Sequence, residues 1–105
     1  MKRTKNMIVN PTTESDELFL YAVNTSRLYQ WVITVVRNLA RKYRKGIYDP
    51  DKARDAYYPI ACEAAKMYQH EFGTPGASIF SVSDIFTAAA AMEEYYLENV
   101  IKNDL

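Results

Sequence analysis

The chain has one histidine, His70, within Tyr68-Gln69-His70-Glu71. To act as a metal ligand or a general acid/base it needs partners at fixed spacing: a second histidine, a carboxylate one turn away, or a cysteine pair. The sequence supplies no His-Glu-x-x-His and no glutamate three residues before it. In the last turn of a helical pattern, a protonated imidazole suits the negative end of the dipole. Cys62 lies in the alanine-rich Ile60-Ala61-Cys62-Glu63-Ala64-Ala65 and reads as a small core or boundary residue, with no base identified to activate it. Glu93 and Glu94 are adjacent, so on a helix they point about 100° apart and do not share a ligand face. Glu94 and Glu98 do share one, as a solvated helix surface also would. Gly73 and Gly76 flank Thr74-Pro75 without the Lys-Ser/Thr that a phosphate loop requires. These patterns predict no catalytic residue, no metal site and no cofactor.

Two surfaces remain. Arg37, Arg41 and Arg44 stand at i, i+4 and i+7, a helical stripe joined by Lys42 and Lys45. Such a stripe contacts an acidic protein, tracks phosphates, or stays solvated. Nine tyrosines are the other feature. In Tyr57-Tyr58 and Tyr95-Tyr96 only one ring of each pair can point fully inward, which leaves Tyr58 and Tyr95 for the core boundary or a protein interface. The expectation is a non-catalytic protein that binds another protein through Tyr58, Tyr95, Arg37, Arg41 and Arg44. The alternative is a small nucleic-acid-binding protein using Arg37, Arg41, Lys42, Arg44 and Lys45, aided by Lys2, Arg3 and Lys5. A pI near 6.6 weighs against that alternative.

The elements that must position these residues follow from periodicity and capping. A chain of 105 residues with three glycines and four prolines favours one domain with a few long elements. Residues 1–13 read as a basic arm, and 14–105 as a single helical domain. Ser15 is placed to cap a short first helix that falters at Asn24-Thr25. In the second, Leu28, Val32, Val35, Val36, Leu39 and Tyr43 form an apolar stripe. Trp31 and Ile33 widen it, predicting neighbours on two sides of that end. Gly46 then stops the helix, Asp49 caps the next and Pro50 takes its first position, so the basic stretch 41–53 is a helix–helix corner. Tyr48 is placed to staple onto Ala53. The third helix turns Ala53, Tyr57, Ile60, Ala64, Met67 and Tyr68 inward, and Pro59 within it predicts a kink or a split. Ser81 with Asp84 makes a capping box for the fourth, or Ser83 is its cap. The fold class is therefore all-α, a small antiparallel bundle of one short and three long helices.

Charge is uneven along the chain. Residues 1–54 hold eleven Lys/Arg against five Asp/Glu; residues 55–105 hold two against eight. With the long helices running up, down and up, Arg41, Arg44 and Lys45 are expected near Glu93, Glu94 and Glu98. Complementary halves and surplus aromatics both favour a homo-oligomer. The single cysteine rules out a disulfide within one chain and suits a reducing compartment. With no secretory or membrane-length apolar run, the expected location is the host cell cytoplasm.

Residues 18–72, and more loosely the last helix, resemble a loose group of small helical proteins from bacteriophages and mobile elements. The likeness rests on Leu28-Tyr29, Asn38-Leu39, Lys45-Gly46, Tyr48-Asp49, Ala64-Ala65-Lys66 and Tyr68. That group has a Trp or Leu in an uninterrupted helix where this chain has Tyr57-Tyr58 and Pro59. The resemblance implies a phage setting, in which an accessory factor or an inhibitor of a host or defence protein is a suitable role. It implies no site residue.

Overall fold

A computed structural model of the chain describes residues 12–103, except 75 and 77. Among them there are helices and no strands: α1 Thr13–Asn24, a 3-10 turn Ser26–Leu28, α2 Tyr29–Arg44, α3 Pro50–Phe72 and α4 Val82–Tyr96. A π-helical turn, Leu97–Ile101, continues α4. The four helices pack together as the all-α pattern predicts. α3 lies most extensively on α4, α1 packs against both, and α2 leans on α3 and the π turn.

The basic arm lies outside the described residues apart from Thr12 and Thr13, and Thr12 belongs to the fold. It, rather than Ser15, caps α1: the Ser15 N–H donates to Thr12 Oγ1 (3.0 Å), and the Thr12 N–H donates to Ser15 Oγ (2.8 Å). Ser15 occupies the third helical position of the same box and is buried. Ser81 and Asp84 form the predicted box at the start of α4, with both bonds at 3.0 Å. The Thr12 hydroxyl also donates to Asp84 Oδ1 (3.1 Å), which ties the starts of α1 and α4 together. Further along, Phe19 meets Tyr95 edge to face at 5.6 Å, so α1 and α4 run parallel.

The corner after α2 is built as its residues dictate. Gly46 has φ +76°, the left-handed region where a side chain is strained. The Ile47 N–H donates to the Lys42 carbonyl and the Gly46 N–H to that of Tyr43, each at 3.0 Å, a Schellman ending. Asp49 accepts the Asp51 N–H at 3.0 Å, with Pro50 first in α3. Tyr48 packs against the core and edge-on to Tyr43.

The core contains Leu18, Leu28, Val32, Leu39, Tyr57, Ile60, Met92 and Ile101, with alanines at the α3–α4 contact: Ala53, Ala61, Ala64, Ala88 and Ala89. The small side chains let the two backbones approach closely. Three departures from the sequence reading have physical causes. First, α3 is one continuous helix through Pro59 and is not split. Pro59 and Asp55, whose carbonyl loses its hydrogen bond, both face solvent, so water can solvate the freed group. Second, Trp31 is 41% exposed, because α2 flanks the bundle instead of entering it. Third, among the described residues no ion pair joins the basic end of α2 to the acidic end of α4. Among the described residues the ion pairs are Arg54–Asp51 and Lys102–Glu98. Glu93, at 0% exposure, accepts the Tyr48 hydroxyl at Oε2 (2.8 Å).

Tyr57 stacks on Tyr96 (5.6 Å, 18°) in this interior. Burial, then the neighbouring Tyr96 and Glu93, hold the Tyr57 hydroxyl far above its ordinary range. Burial and Tyr95 push Tyr96 up to about 12. Unfolded tyrosine ionises near pH 10. Because the folded values are raised, this contribution to stability is complete below pH 10 and is lost as pH climbs through the folded values. In an alkaline titration, these two rings are expected to ionise only as helical circular dichroism is lost. Ionisation of every tyrosine with the helices intact would contradict their burial.

Candidate functional site

α2 presents a different groove on each flank. On the α3 side, Arg37, Asn38, Arg41 and Lys42 face Lys52 and Ala56 across a groove of about 410 Å³, floored in part by Val35 and Leu39. Arg37 and Arg41 are one turn apart, as their spacing predicts. Arg41 Nη2 donates to Asn38 Oδ1 at 3.0 Å, which holds the guanidinium along the groove. No carboxylate lines it. Arg37, Arg41, Lys42 and Lys52 make no ion pair among the described residues. Lys52 lies beyond the corner in sequence, and only the antiparallel packing of α3 on α2 brings it to the stripe. Arg44 and Lys45 extend the positive surface in the exposed last turn of α2.

On the other flank, Val23, Tyr29, Ile33, Tyr95 and Val100 border an apolar groove of about 460 Å³ where the ends of α1 and α4 meet the start of α2. Tyr29 is 58% exposed and Tyr95 41%. Tyr95 is held by edge contacts to Phe19 and Tyr96, so it presents its surface at little entropic cost. Of the two tyrosines expected at an interface, Tyr95 stands in this groove. Tyr58 is half-buried against the core, one turn from Cys62. Partial burial and the adjacent Cys62 raise its hydroxyl above the ordinary range. Tyr29 had no sequence signal beyond being a tyrosine beside the apolar stripe of α2.

His70 is exposed on a third groove, of about 670 Å³, with Glu63, Lys66, Glu71 and Arg27. Tyr21 donates to Glu71 Oε1 at 3.1 Å there. Among the described residues, no group of three or more His, Cys, Asp and Glu side chains stands ready for a metal ion. No helix among them is long and apolar enough to cross a membrane.

No family model, curated protein or solved structure matches the chain. A functional reading therefore rests on the two flanks of α2.

Proposed function

We propose that this chain is a non-catalytic protein that works by binding protein, and that its apolar groove is the docking face. The observation carrying this reading is the pair of exposed rings, Tyr29 and Tyr95, standing over half-buried Val23, Ile33 and Val100. Rigid aromatics around an apolar floor are the usual anchors of protein interfaces. The first occupant is a second copy of the chain. The uneven charge along the sequence supports self-association, since the basic and acidic stretches of two copies complement one another. The resemblance to small phage and mobile-element proteins supports a setting in which the same face serves an accessory or inhibitory role toward a host or defence protein.

Sedimentation velocity over a concentration series tests this directly. A dimer is expected, and Tyr29→Asp or Tyr95→Asp is expected to weaken it at least tenfold, about 1.4 kcal/mol. A photo-crosslinker at position 29 should join two copies where one at exposed Glu14 does not. A monomer at every concentration, or equal crosslinking from both positions, would remove the groove from consideration.

A further inference from the structure

We propose that the basic groove between α2 and α3 binds single-stranded nucleic acid, with Trp31 as the stacking platform. This goes beyond the protein-docking face and does not depend on it.

The groove collects four cations from two helices. Arg37, Arg41 and Lys42 come from α2 and Lys52 from the first turn of α3. None is neutralised by a carboxylate in the groove or by an ion pair among the described residues. Lining one groove with like charges raises the local positive potential, which attracts an anionic ligand. Arg41 is oriented by Asn38, and an aligned guanidinium forms paired bonds to phosphate oxygens.

The second observation is independent of charge. Trp31 is 41% exposed, although an indole is the largest apolar side chain α2 had available to bury. It precedes Asn38 by seven residues and Lys42 by eleven. On an α-helix those offsets return to within about 20° of the same direction, so Trp31 continues the flank of α2 that faces the groove. A cationic track with an aromatic ring at its end is the arrangement that holds a single strand, phosphates on the cations and a base on the ring. A single strand engages the cations and the indole together, whereas an acidic protein surface would be met by the cations alone unless it also offered an apolar partner for Trp31. A duplex is less suited, because the cations line a concavity and its bases are already stacked.

The experiment follows fluorescence anisotropy of a labelled single-stranded oligonucleotide, in DNA and RNA forms, at low and moderate salt. Trp31 is the only tryptophan in the chain, so its own emission reports stacking. Binding is expected to quench that emission. Log affinity should fall with log salt at a slope of about −3 for four phosphate contacts. Lys52→Glu and Arg41→Glu should each weaken binding at least tenfold, and Trp31→Ala by roughly tenfold. Lys66→Glu, an exposed cation outside the groove, should change it little. Circular dichroism checks that each variant is folded, the expected result at these exposed positions. The inference is overturned by any of four results: no binding at low salt, equal loss from Lys52→Glu and Lys66→Glu, binding without quenching, or equal affinity for duplex or polyglutamate. Tyr29 lies outside the basic groove, so Tyr29→Asp is expected to leave nucleic-acid binding unchanged, and failure here and failure of the docking face are separate outcomes.

Discussion

Replacing Pro59 by alanine is expected to stabilise this protein. Pro59 interrupts the hydrogen-bond ladder in the middle of the 23-residue α3, on its solvent face. In a helix interior proline costs about 3 kcal/mol relative to alanine, from the missing N–H and the clash of its ring with the preceding turn. Solvent exposure lets water take the freed Asp55 carbonyl, which recovers part of that cost. Alanine also returns conformational freedom to the unfolded chain, by about 0.4–1 kcal/mol, which opposes the gain. The restored bond is the larger effect. We expect Pro59→Ala to add about 1–2 kcal/mol, raising the melting temperature by roughly 4 °C or more. Thermal unfolding followed by circular dichroism checks this. A lower melting temperature would mean that the proline sets the path by which α3 packs on its neighbours.

The next residue behaves in the opposite way. Ile60 is 0% exposed, a rotation of about 100° away from Pro59. Ile60→Ala removes a buried side chain from a core whose α3–α4 contact is largely alanine. Alanines cannot swing into the vacated space, so the cavity persists and the cost falls in the upper part of the usual range of about 2–5 kcal/mol. Against a total stability of about 5–15 kcal/mol, this is a severe loss. The melting temperature should drop by roughly 10 °C or more. Ile60→Val should cost only about 0.5–1.5 kcal/mol. Equal effects from the two substitutions would show that the site collapses freely.

The contrast between these neighbours marks how far the sequence can be read. Ile60 shows its burial through its place in the apolar stripe of α3. Pro59 announces a disturbance, but whether a helix splits there depends on what its freed carbonyl meets, and in α3 it meets solvent. The burial of Glu93 and Arg54 was equally illegible. Both side chains are ionisable, and the Tyr48 hydroxyl that donates to Glu93 and the Asp51 carboxylate that pairs with Arg54 help make an interior position tolerable.

The sequence by itself determined the local elements: the capping box at Ser81, the left-handed Gly46 with Asp49-Pro50 behind it, the apolar stripes, and the Arg37–Arg41–Arg44 row. Each of these depends on neighbours within one or two helical turns, so composition and spacing carry the information. Only the tertiary structure decided which residues from different helices meet. It brought Lys52 to the basic row and joined Tyr95 to Tyr29. It left Trp31 at the surface, and it brought the Tyr48 hydroxyl rather than a cation to Glu93. Those outcomes depend on how the helices cross, and crossing is set by the summed packing of whole faces, where the alanines of α3 and α4 draw two backbones together and leave α2 on the flank.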